Sequence, residues 1–226
     1  MNMKSIMQEL DNTGDKTMAC GMARFGITSC KIYGVSLPQL RRIAKKTGTD
    51  HKLAARLWKE GSREARILAG LIEDPALVTV EQMESWAESF DSWEVCDQCC
   101  SNLFRKTAHA WLMALEWAGR EGEYVKRAGF VLVAVMAVGV RECDNGKFER
   151  FFEIIVREST DARNYVMKSV NWALRQIGKK NLYLNRKAIE VAEEIGRIDS
   201  SSARWISSNA LRELTGEAVR ERLERG

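Results

Sequence analysis

A regular alternation of helix-capping residues and short amphipathic runs is the feature that most constrains the fold. The sequence SLPQ at residues 36–39 has the form of a capping box with a proline in the first turn, and it predicts a helix over LPQLRRIAKK. Asp50 is expected to cap HKLAARLWKE, and Ser62 to cap REARILAGLIED. Thr79 and Asp91 open two further helices in the same way. The first part of the chain is therefore predicted to be a series of short helices with short breaks.

Amphipathic runs continue to the end of the chain. They are AHAWLMALEWAGR, EYVKRAGFVLVAVMAVGV, KFERFFEIIVRE, DARNYVMKSVNWALRQIGKK, NRKAIEVAEEIGRI, SSARWISSNALREL and a charged tail helix. The apolar run FVLVAVMAVGV at residues 130–140 is interpreted as a buried helix, because a lone strand among helices would leave its backbone groups without partners. Only two prolines in 226 residues also favour helices over a sheet-rich fold.

Paired helices joined by short loops, with no long Gly/Ser linker, indicate stacked helical hairpins. We therefore predict an all-α fold, a curved α-solenoid of HEAT-like helical repeats (an α-α superhelix), built as a single domain over residues 1–226. A compact helical bundle is the alternative, because no strict sequence period is visible.

Composition and charge narrow the functional classes. With 45% hydrophobic and 29% charged residues, the chain has the balance of a soluble globular protein rather than a disordered one. No secretory signal is visible and the longest apolar stretch is too short to cross a bilayer, so we expect a cytoplasmic protein without a membrane partner. A formal net charge of +4 permits a polyanionic partner without requiring one. In a reducing compartment, the six cysteines are expected to be free thiols.

The stretch SWEVCDQCC at residues 92–100 concentrates a tryptophan, a carboxylate and three thiols on one predicted helix. A zinc site would need a second pair of ligands, but the only other cysteine nearby in sequence is Cys143, and His51 and His109 are isolated. A CxxC redox motif normally begins a helix in a fold that contains strands. The three thiols, Cys96, Cys99 and Cys100, are therefore expected to pack as small hydrophobic groups, with no metal site.

Two tryptophans of the predicted helices lie beside polar groups and are candidates for a functional site. Trp93 and Asp97 are four residues apart and share one helix face. An acidic residue among apolar neighbours is costly, so Asp97 is either half of a buried ion pair with an arginine or a carboxylate at the base of a cleft. Trp172 has Lys168 and Arg175 on the same helix face, and it is either a core residue or part of a site. The residues alone leave both questions open.

An ordered series of segments supplies a resemblance. Six segments, which together span most of residues 22–214, resemble the AlkD-type DNA alkylation repair glycosylases. They are YGVSLPQLRRIAKK, LWKEGSREARILAG, SWEVCDQC, VKRAGFVL, DARNYVMKSVNWALRQIGKKN and ARWISSNALREL. The resemblance implies HEAT-like repeats whose concave, basic face holds duplex DNA. It also implies excision of N3- and N7-alkylated purines without a metal, a cofactor or a catalytic lysine. The positions that match the family's active cleft are Trp93, Asp97, Arg127 and Trp172.

The expected partner is double-stranded DNA that contains alkylated bases, bound by a monomer that is nucleoid-associated while on DNA. Basic residues on the inner helices are candidates for phosphate contacts: Arg41, Arg42, Lys45, Lys168, Arg175 and Lys179. Two other functions are kept as alternatives. One is a catalytically inactive DNA-binding scaffold that recognises damaged or branched DNA, and the other is a helical-repeat module that binds proteins.

Overall fold

The computed structural model describes residues 1–27, 29, 31–139 and 144–225, and these residues form fourteen α-helices and no strand. The prediction of an all-α fold is confirmed. The chain divides into two compact units, Met1–Ala110 and Trp111–Gly226. The helices of the first unit are α1 Met3–Thr13, α2 Lys16–Met22, α3 Leu37–Thr47, α4 His51–Glu60, α5 Arg63–Ile72, α6 Val80–Glu88 and α7 Trp93–Asn102. Of these, α1 and α2 were not predicted from the sequence.

The second unit contains the remaining helices, the first of which begins at the last residue of the first unit. They are α8 Ala110–Trp117, α9 Glu123–Gly139, α10 Asn145–Glu158, α11 Asn164–Gly178, α12 Leu182–Gly196, α13 Ser201–Leu214 and α14 Glu217–Arg225. The position of each helix agrees with an amphipathic run of the sequence, and α13 has the predicted ends.

The capping residues predicted for the first unit are confirmed, with one exception. Asp50 accepts the backbone N–H of Leu53 at 3.0 Å, and the Ser62 hydroxyl accepts that of Ala65 at 3.3 Å. The exception is α7, which is capped by Ser92 rather than by Asp91. The Asp91 carboxylate instead accepts a hydrogen bond from Ser29 at 2.9 Å and pairs with Arg66 at 3.0 Å. Sequence patterns cannot distinguish two adjacent capping residues when a distant arginine competes for one of them.

In the first unit, α5 is the central helix, because it packs against α3, α4 and α7. Aromatic side chains fill the space between α4 and α6, where the rings of Trp58 and Trp86 stack at a centroid distance of 3.9 Å. Phe90 meets Trp58 edge-on at 5.9 Å. These rings form an apolar core in which polar side chains are tolerated only when they are paired.

The second unit has two layers of helices. The odd-numbered helices α9, α11 and α13 pack on one another in sequence order, and α10 packs on α12 in the other layer. Hydrogen bonds join Asn171 to Asn209 and Arg175 to Glu213, and both pairs are separated by 38 positions. A constant separation shows that α11 and α13 run parallel. Parallel helices in each of two layers are typical of helical repeats.

The apolar run at residues 130–140 lies on α9, and its interpretation as a helix is confirmed up to Gly139; Val140 lies outside the described residues. Residues 126–137 of α9 are buried. No described helix combines the length and the apolar character needed to cross a membrane. Gly129 allows α9 to approach the end of α8 closely, since a Cβ atom at this position would lie 2.4 Å from the backbone nitrogen of Ala118.

We expect Gly129→Ala to lower the free energy of unfolding by about 1–3 kcal/mol, because the added methyl group forces two backbones apart. Gly21→Ala is the matched control, because a Cβ atom on Gly21 meets nothing within 4 Å. This control should leave stability unchanged or raise it by about 0.5–1 kcal/mol, as removal of a helical glycine does. Urea denaturation followed by circular dichroism measures both variants. Equal stabilities would contradict the close approach of α9 to α8.

Candidate active-site residues and nucleic-acid interface

The helix α7 places Trp93 and Asp97 on a face that remains partly accessible. Trp93 is the first residue of α7 and Asp97 lies one turn later, and both side chains are half-buried. Val95 and Cys99 lie on the opposite side of α7, and Cys96 and Cys100 flank the pair; all four are buried. The geometry predicted for the Trp93 and Asp97 pair, one turn apart on one helix, is therefore present.

A hydrogen bond orients the Trp93 ring. Its indole N–H donates to the backbone carbonyl of Phe25 at 2.8 Å. Phe25 ends a short 3-10 turn, and Gly26 follows with a φ of 72°, a left-handed conformation that suits glycine. The Phe25 side chain is 72% exposed. The first unit thus presents an exposed phenyl ring on the residue whose carbonyl holds Trp93, a feature that the sequence analysis did not single out.

The cysteines of α7 belong to the core, which confirms that they pack as small hydrophobic groups. Cys96, Cys99 and Cys100 are all buried. Burial raises the pKa of the Cys99 thiol well above its ordinary value, so this group stays protonated. A Cβ atom on Gly70 would lie 3.6 Å from the Cys99 Cα atom, so α5 and α7 pack tightly at this level. Cys143 lies outside the described residues.

A buried arginine fixes the position of α7. Arg63, at the start of α5, is 2% exposed. It makes a bidentate pair with Glu94, in which Nε donates to Oε2 at 2.6 Å and one terminal nitrogen donates to Oε1 at 2.8 Å. The other terminal nitrogen donates to Glu64 at 2.9 Å and to the Val35 carbonyl at 3.0 Å. Burial alone would lower the pKa of Arg63, but Glu94 and Glu64 raise it above its ordinary value.

The Glu64 carboxylate extends this network to the segment before α3. It accepts the backbone N–H groups of Tyr33 at 2.9 Å, Gly34 at 2.9 Å and Val35 at 3.1 Å. The network therefore joins α5, α7 and residues 33–35 through charged groups that are all buried. Because Glu94 directly follows Trp93, the network also sets the rotation of the helix face that carries Trp93 and Asp97.

In the second unit, Arg127 is a buried residue of α9. Because α9 begins at Glu123, Arg127 lies one turn inside the helix. Its side chain is 6% exposed and donates a hydrogen bond to the Tyr165 carbonyl on α11 at 2.6 Å. The Tyr165 ring stacks on Tyr124 with centroids 5.9 Å apart. Arg127 is thus held at the packed interface between α9 and α11.

Trp172 lies on α11, two turns after Tyr165, and is half-buried. The Gln176 side-chain oxygen accepts hydrogen bonds from the Trp172 indole N–H and from the Lys179 ammonium, each at 3.1 Å, in the amide orientation that satisfies both donors. Within the second unit, the packing of α9 on α11 brings the Arg127 and Trp172 helices together. Trp93 and Asp97 are brought together on α7 of the first unit.

The six predicted phosphate contacts fall into two groups. Arg41, Arg42 and Lys45 on α3 and Lys168 on α11 are exposed, and none of the four has an ion-pair partner among the residues that the structure describes. Arg175 and Lys179 both pair with Glu213 of α13. Although burial alone would raise the pKa of Glu213, these two cations lower it. The pairing depends on a contact between α11 and α13, which the sequence does not reveal.

A second ion cluster holds the start of α11 against α9. Lys126 of α9 reaches Glu158 at 2.5 Å and Asp161 at 3.4 Å. Asp161 also accepts hydrogen bonds from Arg163, including its backbone N–H at 3.0 Å. The Arg163 guanidinium lowers the pKa of Asp161 to about 2. This cluster fixes the start of α11 relative to α9. It therefore also fixes the position of Trp172 relative to α9.

The two layers of helices in the second unit define a helical-repeat protein, and comparison with known proteins specifies its family. The profile of the family described as DNA alkylation repair enzyme matches residues 6–214, and the chain belongs to this family. The uncharacterized proteins Lin0241 of Listeria innocua and Lmo0209 of Listeria monocytogenes are 26% and 24% identical to it over 173 residues, which is 75% of this chain and 75% of each relative.

A solved structure with a similar fold represents a new family of proteins related to the HEAT-like repeat DNA glycosylases, with affinity for branched DNA structures. It aligns with a TM-score of 0.83 and 21% identity, over 99% of this chain and 96% of that one. This similarity confirms the predicted fold of HEAT-like repeats. The predicted single domain and the predicted site residues stay predictions.

We expect Glu94→Ala to lower the free energy of unfolding by about 3–5 kcal/mol, because it leaves Arg63 buried with half of its charge compensation removed. Glu88→Ala is the matched control, since Glu88 is exposed at the end of α6 and a substitution there should change stability by about 0.5 kcal/mol or less. Chemical denaturation monitored by tryptophan fluorescence measures the difference. If both variants unfold at the same denaturant concentration, the Arg63 network does not hold α7.

Proposed function

We propose that the protein is a DNA glycosylase that hydrolyses the N-glycosidic bond of N3- and N7-alkylated purines in duplex DNA. The observation that carries the proposal is the half-buried carboxylate of Asp97, one helical turn from a half-buried Trp93 whose ring is fixed by the Phe25 carbonyl. Membership of the DNA alkylation repair enzyme family supports it. The remaining steps follow from the chemistry of the lesion.

A purine alkylated at N3 or N7 carries a positive charge, so no general acid has to protonate it before it leaves. As the glycosidic bond breaks, its electron pair moves onto the purine, which departs as a neutral base, and positive charge develops on the deoxyribose. A carboxylate in a sheltered position stabilises that charge more in the transition state than in the ground state. Asp97 is proposed to have this role.

Water completes the reaction. A water molecule held by the Asp97 carboxylate adds its oxygen to the anomeric carbon, and the proton that it loses passes to the carboxylate and then to solvent. The products are the free alkylated base and an abasic site. The reaction is balanced without a metal, a redox partner or a covalent enzyme intermediate.

Trp93 is proposed to assist Asp97 through its ring face, and Trp172 is proposed to offer a second ring face of the same kind to a cationic nucleotide. The electron-rich face of an indole attracts a cation, and such a contact contributes about 1–2 kcal/mol when it is shielded from water. Trp93 and Trp172 are both half-buried, so each ring is partly shielded and partly accessible. Arg127, oriented by the Tyr165 carbonyl, is proposed to hold a phosphate of the DNA backbone.

Exposed cations are proposed to supply most of the affinity for DNA, independently of sequence. Arg41, Arg42, Lys45 and Lys168 are the strongest candidates, because each is exposed. Arg175 and Lys179 are proposed to contribute less per residue, since Glu213 already neutralises part of their charge.

We expect the triple variant Arg41→Ala, Arg42→Ala, Lys45→Ala to weaken DNA binding and to flatten its dependence on salt. Removal of one phosphate-binding cation should reduce the slope of log K against log salt concentration by about 0.9. Fluorescence anisotropy on a labelled duplex at several salt concentrations measures the slope. Lys187→Ala is the control, because Lys187 lies on α12 and pairs with Glu190. An unchanged slope in the triple variant would remove α3 from the DNA-binding surface.

We expect Asp97→Asn to reduce the release of 7-methylguanine or 3-methyladenine from alkylated duplex DNA by about 100-fold or more, because the amide keeps the shape but loses the charge. DNA affinity should remain close to that of the original protein. Asp11→Asn is the matched control, since Asp11 is an exposed carboxylate at the end of α1. Chromatographic quantification of released bases is the measurement. Undiminished excision by Asp97→Asn would refute the catalytic role.

A second candidate function is a DNA-binding protein without excision activity that recognises branched DNA. It is supported by the affinity for branched DNA structures of the family to which the solved structure belongs. Gel-shift assays on three-way junctions and on intact duplexes, combined with assays of base release, separate the two candidates. Tight binding to junctions without release of any alkylated base would favour this second function over the glycosylase.

A further inference from the structure

Trp205 is an indole exposed on the surface of α13. It is the most exposed of the seven tryptophans, with 40% of its surface accessible. Most buried residues of α13 lie on the other side of the helix, among them Ala203, Ser207 and Ala210. An indole that is accessible to this extent presents a flat apolar ring face on which a ligand can stack.

The pattern of burial shows which face of the layer Trp205 occupies. Most buried residues of α11 have buried counterparts in the same order on the parallel helix α13, where Val166 corresponds to Ala203 and Val170 to Ser207. In that correspondence, Trp205 takes the place of Lys168. Trp205 therefore points to the same side of the layer as the α11 face that carries Lys168 and Trp172.

The positions around Trp205 on this face are polar or cationic. Asn209 takes the place of Trp172 and carries no charge. It accepts a hydrogen bond from Asn171 at 2.8 Å, which joins the two helices. Arg212 takes the place of Arg175, and both Arg212 and Lys168 are exposed. Trp205 thus has one cation on the neighbouring helix and another two turns along its own helix. An exposed aromatic ring accompanied by cations is the combination that binds single-stranded nucleic acid.

We propose that Trp205 stacks on an unpaired nucleotide of bound DNA, such as a base in a gap or at the branch of a junction, while Lys168 and Arg212 contact the flanking phosphates. The proposal rests on the proposed DNA binding and adds a ligand class to it. In an intact duplex each base is already stacked on its neighbours, so the indole face gains little from it. An unpaired base has a free face, and stacking on a tryptophan favours it whatever its identity.

The selectivity follows from this difference in available base faces. Phosphate contacts act on duplex and gapped DNA alike, because both carry the same backbone charge. Stacking acts only where a base is unpaired. Loss of the Trp205 ring should therefore weaken binding to gapped or branched DNA and leave binding to an intact duplex unchanged.

The test uses the protein and two labelled probes of equal length, an intact duplex and the same duplex with a five-nucleotide gap. Trp205→Ala should lower the affinity for the gapped probe by about 5- to 100-fold, the range set by stacking on one base, without changing affinity for the duplex. Trp205→Phe should retain most of the affinity, since a phenyl ring also stacks. Tyr183→Ala is the matched control and should bind both probes normally, because Tyr183 is a comparably exposed aromatic residue on α12.

Two results would overturn the proposal. One is equal affinity of Trp205→Ala and the original protein for the gapped probe, and the other is an equal loss on both probes. Circular dichroism confirms that each variant is folded before binding is compared. If the original protein binds neither probe, the proposed DNA-binding function fails as well. If it binds DNA and releases alkylated bases while Trp205→Ala binds normally, only the inference about Trp205 fails.

Discussion

The buried guanidinium of Arg63 is the constraint on which the first unit depends. A charge removed from water must be neutralised, and Glu94 and Glu64 do this from two different helices. Glu64 in turn binds three successive backbone N–H groups of residues 33–35. The positions of α5, α7 and the segment before α3 are thereby tied to one another. Since Trp93 precedes Glu94, the orientation of the partly accessible face of α7 follows from this network.

Local features of the fold could be predicted from the sequence because their causes are local. Asp50 and Ser62 cap the helices that follow them, and the spacing of Trp93 and Asp97 fixes their common face on any helix. The cysteines of α7 could also be assigned to the core, since no second set of ligands accompanies them in sequence. The family resemblance supplied Arg127 and Trp172 as further candidate site residues, which local patterns alone could not do.

Features that depend on contacts between distant segments could not be predicted. Arg63 and Glu94 look like ordinary surface charges in the sequence, yet both are buried. Arg175 looks like a free cation, but Glu213 neutralises part of its charge. Asp91 satisfies the sequence rule for a cap, but the Ser29 hydroxyl and Arg66 engage it instead. In each case a residue more than twenty positions away decides the role of the charge.

The central claim is that a carboxylate is sufficient to expel a purine that already carries positive charge. The most direct test is mass spectrometry of the bases released when the protein is incubated with methylated genomic DNA in the presence of a metal chelator. The account predicts release of 7-methylguanine and 3-methyladenine, both of which leave as neutral bases, and no release of unmodified purines. DNA that is bound by the protein but loses no alkylated base would contradict it.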